Sequence, residues 1–113
     1  MIVDPGMLSM LAELRMPGQP DPVLEILDVF GEDGARVVRW IEQAYADSDS
    51  DELRRAAHRL KGAAANVGAK ELADVLTRVE RTAREGRIDA VSEDVARIPT
   101  LFVESVTALR ALC

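Results

Sequence analysis

The chain contains one histidine, His58, followed three residues later by Lys61-Gly62 within the run Ala57-His58-Arg59-Leu60-Lys61-Gly62-Ala63-Ala64-Ala65-Asn66-Val67-Gly68-Ala69. An imidazole nitrogen can act as nucleophile, proton carrier or metal ligand near neutral pH. A metal site needs several converging ligands, and no second histidine or any cysteine lies near His58 in the chain. Enzyme chemistry would call for a nucleophile with its own base or a glycine-rich phosphate loop, and neither pattern occurs. The acids Asp47, Asp49, Asp51 and Glu52 resemble a calcium loop only superficially. They lack its glycine and terminal glutamate at the required spacing and read as helix caps.

Placed on a helix at about 100° per residue, Leu53, Ala56, Ala57, Leu60, Ala64 and Val67 gather into one inward stripe, and His58 falls about 150° from its centre. The ring therefore faces outward. Lys61 and Gly62, three and four positions on, are its surface neighbours. A glycine inside a helix costs about 1 kcal/mol relative to alanine, so something should compensate for it. Either it admits a close helix neighbour, or it leaves the imidazole open to a partner; the wheel places Gly62 opposite the apolar stripe and favours the second. Lys61 is either a solvated lysine or a counter-charge for an anion on His58, and spacing alone leaves both open.

The elements that must hold these residues are all helical. Asp4-Pro5 and Asp21-Pro22 are helix starts, with aspartate as cap and proline in the first turn. The first opens a short helix with Met7, Leu8, Leu11 and Leu14 at helical spacing. The second opens a long one from about Pro22 to Ala46, with Val23, Ile26, Leu27, Phe30, Val37, Val38, Ile41 and Tyr45 as its stripe. Gly31 and Gly34 are where it would kink or split. A third helix runs from about Asp51 to Asn66 and stops near Gly68. A fourth spans about Lys70 to Glu85, with Leu72, Val75, Leu76, Val79 and Ala83 inward and Gly86 as its stop. A fifth, opened by Asp89 or Ser92, carries Val95, Ile98, Phe102, Val106 and Leu109 to Leu112, and Pro99 should kink or divide it. Short loops between comparable helices imply antiparallel neighbours. The expected fold is all-α, an antiparallel up-and-down four-helix bundle with a short extra N-terminal helix, and a single domain over residues 1–113.

Composition agrees with that class. Of 113 residues, 48% are apolar, 30% charged and only 4% aromatic, which suits a folded chain rich in helix formers. The one cysteine, Cys113, has no partner among these residues. Met1 to Gly6 lacks the basic flank and apolar stretch of a signal peptide, and no apolar run reaches the roughly 20 residues of a membrane span. The expectation is a cytoplasmic protein without membrane contact. Net charge is −6, unevenly spread: Asp51 to Arg87 holds nine basic and six acidic residues, the remainder five and fourteen. Such a chain is a poor nucleic-acid binder; its basic region either meets an acidic protein surface or is the ordinary charge of exposed helix faces, and charge alone favours the second. Arg54 and Arg55, one turn before His58, are the expected docking charges.

The run around His58 resembles the signature of histidine phosphotransfer domains, with Ala57, His58, Lys61, Gly62, Ala63, Ala64, Gly68 and Ala69 matching. The likeness extends through Asp51 and Leu53 before it, Leu72, Ala73, Val79 and Glu80 after it, and Phe30-Gly31-Glu32-Asp33 upstream. It implies a phosphocarrier of two-component phosphorelays, not an enzyme, accepting a phosphoryl group on the His58 nitrogen farther from the backbone and passing it on. It further implies that Lys61 stabilises that group and Gly62 keeps the ring accessible, with Glu80 and Arg84 as polar neighbours from the next helix. Ala63 departs from the serine of many relatives. Implied partners are response-regulator receiver domains and a hybrid sensor kinase. No cofactor is expected in this chain; Mg²⁺ belongs to the receiver. Two other readings compete. A helical adaptor that is never phosphorylated would have no need of His58. The dimerising helix of a sensor kinase pairs its histidine with an adjacent acid, where this chain has Arg59, and no ATP-binding domain is present.

Overall fold

A computed structural model describes residues 2–113, and the described residues form helices and connecting turns without strands. In chain order the helices are α1 (Gly6–Ala12), α2 (Pro22–Ala46), α3 (Ser50–Val67), α4 (Lys70–Arg84) and α5 (Ser92–Ala111), with a 3-10 turn, Ile88–Val91, before the last. The capping chemistry sets these bounds. Asp21 caps α2 by accepting from the Val23 amide at 2.9 Å, and Asp49 caps α3 by accepting from Glu52 at 3.0 Å. At α1 the expected cap shifts by one: Pro5 takes the N-cap position, and Asp4 before it accepts from the Gly6 amide at 2.9 Å. Of the four acids read as caps, only Asp49 caps α3; Asp51 and Glu52 pair with Arg54 and Arg55 in its first turns. Gly68 ends α3 at φ +85°, with Ala69 and Gly68 donating to the carbonyls of Ala64 and Ala65.

Four expected details change. The α1 stripe does not extend to Leu14: the helix stops at Ala12, Leu8 is buried and Leu11 half-buried, while Met7, Met10 and Leu14 are exposed. Only one narrow edge of this two-turn helix faces α2 and α3. α2 runs unbroken through both glycines. At Gly34 an added Cβ would lie 2.5 Å from Phe102 Cε1, so this glycine lets the α5 ring, itself 5.3 Å from the Phe30 centroid, come against the helix backbone. Pro99 does not divide α5 either, which continues from Ser92 to Ala111. The buried residues on both sides of it, Val95, Ile98, Leu101 and Phe102, anchor the helix, and packing outweighs the missing hydrogen bond. Val106, expected in that stripe, is only half-buried, and Leu101 and Ser105 are buried instead.

The core lies where α2, α3, α4 and α5 meet, each packing on the next and α5 returning to α2. Ion pairs span the seams: Arg59–Asp33 joins α3 to α2, Arg78–Asp94 and Arg97–Glu71 join α4 to α5, and Arg110–Asp28 joins α5 to α2. Across each seam residue numbers rise on one helix as they fall on the other. Trp40 meets Glu52 and Asp33 meets Arg59; Asp28 meets Arg110 and Gly34 meets Phe102. No helix of the described residues is long and apolar enough to cross a membrane.

Candidate functional site

α3 buries Leu53, Ala56, Ala57, Leu60, Ala64 and Val67, the whole of the stripe expected from sequence. That fixes the rotation of the helix and turns His58 outward, with 66% of its side chain exposed. The ring does not stand free. Its Nδ1 lies 2.9 Å from Oε2 of Glu80, on the facing side of α4. Glu80 is one of two buried polar residues among those described, its side chain only 5% exposed. It follows Leu72 and Leu76 at intervals of four, so the rotation that buries those leucines carries Glu80 to the edge of the α3–α4 seam.

Both carboxylate oxygens of Glu80 are engaged. Oε1 takes the Lys61 ammonium at 2.5 Å; Oε2 accepts from Arg84 Nη2 at 2.9 Å as well as from the histidine. Burial by itself would push the Glu80 carboxyl up, but the hydrogen bonds and charges of Lys61 and His58 hold it below the usual carboxylate range. It is therefore ionised at neutral pH and can only accept. His58 Nδ1 must then carry the proton, and the lone pair of the neutral ring sits on Nε2. Among the described residues Nε2 has no hydrogen-bond partner.

Gly62 is exposed, and a Cβ built on it would meet nothing within 4 Å. No neighbouring helix requires a glycine here, which removes the packing explanation. With exposed Ala65 it forms a low ridge beside the ring. Lys61, which the sequence left as either a solvated lysine or a counter-charge, is brought beside His58, and its ammonium rests on Glu80. Arg84 and Glu80, expected only as polar neighbours, complete the cluster. The arginines expected to dock a partner are occupied: Arg54 pairs with Asp51, and Arg55 with Asp51 and Glu52.

The geometry presents an exposed helical histidine with one nitrogen tethered, the other without a partner among the described residues, and small residues alongside. The chain belongs to the Hpt domain family, whose match covers residues 25–112. Its role is histidine phosphotransfer in phosphorelays. The fold is similar to the crystal structure of histidine-containing phosphotransfer protein B from Pseudomonas aeruginosa PAO1. The TM-score is 0.85 over 97% of this chain and 92% of that one, at 24% identity. No curated protein matches the chain significantly.

Proposed function

We propose that His58 is the phosphorylated residue and that receiver domains of response regulators, among them that of a hybrid sensor kinase, are the donor and acceptor. The module is a phosphocarrier rather than an enzyme, built as one domain on an antiparallel up-and-down four-helix bundle. The opposed numbering across its helix seams supports that architecture. In the forward step the Nε2 lone pair attacks the phosphorus of the receiver's aspartyl phosphate. The new N–P bond forms as the P–O bond to the aspartate breaks, and its electron pair stays on the departing carboxylate. Nδ1 keeps its proton, so positive charge develops on the ring beside ionised Glu80, which stabilises it. The return step reverses these movements.

Phosphoryl transfer is mostly positioning and charge stabilisation, and a loose transition state asks little covalent help of the protein. Glu80 holds the ring in one tautomer and orientation. Lys61 has two further N–H donors beyond the one on Glu80 and can reach toward a phosphoryl group one turn away. Gly62 leaves room for the receiver to approach. Mg²⁺ would be held by the receiver, as the family resemblance implies; Glu80, with both oxygens engaged, is not a free ligand for it.

The observation that carries this reading is the His58 Nδ1–Glu80 contact, which leaves Nε2 as an exposed nucleophile. A purely adaptor-like bundle would have no use for it. Incubation with a receiver carrying radiolabelled aspartyl phosphate, followed by mapping of the labelled peptide, tests it. Label should appear on His58 and vanish in His58→Gln, whose circular dichroism and melting should match the parent. Undiminished label in His58→Gln would remove the assignment.

A further inference from the structure

Beyond the identity of the acceptor, the cluster has a charge balance that depends on Arg84. In the state that reacts, with a lone pair on Nε2 and Glu80 ionised, Lys61 and Arg84 leave the four-residue group with one positive charge in excess. The neighbouring Arg59 is matched by Asp33 and adds nothing to that excess. A phosphoryl group transferred to a neutral imidazole that keeps its Nδ1 proton brings one net negative charge. The cluster then becomes neutral. Without Arg84 it would start neutral and end negative, around a carboxylate that is buried and cannot turn to water.

Arg84 has a second use. If Lys61 turns from Oε1 to the phosphoryl group, Glu80 keeps a cation only through Arg84, bound to the same oxygen as the histidine. A buried carboxylate stripped of its partners would take up a proton and cease to hold the ring. Resting on the assignment of His58 as acceptor, we propose that Arg84 is a charge-balancing positioning residue that sets how far the phosphotransfer equilibrium lies toward the phosphorylated carrier. Its guanidinium is largely exposed, with 62% of the side chain accessible, so its influence is partly screened.

The test uses the whole chain and phosphoramidate as donor, at fixed ammonia concentration. Nε2 attacks phosphorus, the donor's P–N bond breaks, and ammonia leaves with that electron pair. The phosphorylated fraction is read by ³¹P NMR and the His58 tautomer by ¹⁵N NMR. Arg84→Gln should lower the equilibrium constant by about two- to fivefold at low salt, the range of an exposed ion pair. At roughly 0.5 M salt the difference should largely disappear. Arg84→Lys should restore the parent value, and melting and the unphosphorylated tautomer should not change. An equilibrium constant for Arg84→Gln equal to the parent's at low salt would overturn the proposal. So would a deficit that persists at high salt and is shared by Arg84→Lys. Failure of the parent itself to accept phosphate on His58 would remove the assignment beneath it, a result distinct from an unaffected Arg84 variant.

Discussion

At the scale of single residues, Glu80 is the hub of the site. One buried carboxylate accepts from a histidine, a lysine and an arginine, so it is a structural ion and a positioning group at once. Glu80→Gln keeps its shape but offers one acceptor where two were used. It should cost about 1 kcal/mol or more in stability and release the His58 tautomer, visible as mixed ¹⁵N signals and slower phosphoryl acceptance. The acid limb of stability should report the same group. Its carboxyl lies below the ordinary value of 4.5 in the folded chain, so its contribution is complete above that value and fades as protons bind the folded form at lower pH. Urea melts from about pH 5 down to about pH 3 should therefore fall less steeply in Glu80→Gln than in the parent. Lys61 and the arginines before His58 should separate kinetically. Lys61→Ala should slow transfer at saturating receiver or shorten phosphohistidine lifetime, because it removes charge at the reacting group. Arg54→Ala and Arg55→Ala should alter apparent affinity by less than about tenfold, since each is already paired within α3. A Lys61→Ala variant with normal saturated transfer and lifetime would make Lys61 a docking residue.

At the scale of elements, Gly62 and Gly34 answer to different physics. Gly62→Gln meets no neighbour and gains helix propensity, so melting should hold or rise by a few degrees while transfer falls as the new side chain covers the ring. Unfolding of that variant would contradict the open space beside it. Gly34→Ala should instead lose about 1–3 kcal/mol in a denaturant melt, because its Cβ meets the Phe102 ring inside a packed core. The sequence distinguished these cases only in part. Gly62 and His58 lie four residues apart on one helix, so a wheel shows their exposure. Gly34 looked like a break because its reason, Phe102, is 68 positions away on α5 and invisible to local spacing. The same limit hid the burial of Glu80, which the resemblance names only as a polar neighbour of His58. Its charge argues for solvent, and only the contact with Lys61 and His58 of α3 explains its burial. Caps and stops such as Asp21-Pro22, Gly68 and Gly86 were legible because their chemistry is local. The α1 stripe misled for the converse reason: spacing shows which residues share a face, not whether anything covers it.

At the scale of the whole molecule, an elongated body of 49 × 24 × 19 Å is tied at one end by a segment that belongs to no helix. Residues 2–4 cross the α3–α4 turn. Asp4 donates its amide to the Gly68 carbonyl at 2.7 Å, and the Ile2 carbonyl accepts from the Glu71 amide at 3.1 Å. Val3 between them is buried. This segment supplies what α4 lacks, since Ala69 at its N-cap position provides no side-chain acceptor. It also explains a second demand on Gly68 beyond its left-handed φ: an added Cβ would lie 2.2 Å from the Asp4 carbonyl oxygen. Removing residues 1–3 takes away one buried valine and the hydrogen bond to Glu71. On ordinary burial and hydrogen-bond values that amounts to about 2–3 kcal/mol, or a fall in Tm on the order of 5–15 °C. The effect should be concentrated at the turn. His58 lies ten residues before Gly68, roughly 15 Å along α3, and Glu80 is ten residues into α4. Hydrogen exchange should therefore accelerate at Glu71 and its neighbours in the first turn of α4, while amides around His58 keep their protection under conditions where global unfolding is rare. Phosphoryl acceptance measured well below the lowered Tm should stay near the parent rate. Loss of protection spread evenly along α3 and α4, with acceptance reduced in proportion, would show instead that the α3–α4 pair has no independent stability and that the segment supports the site itself.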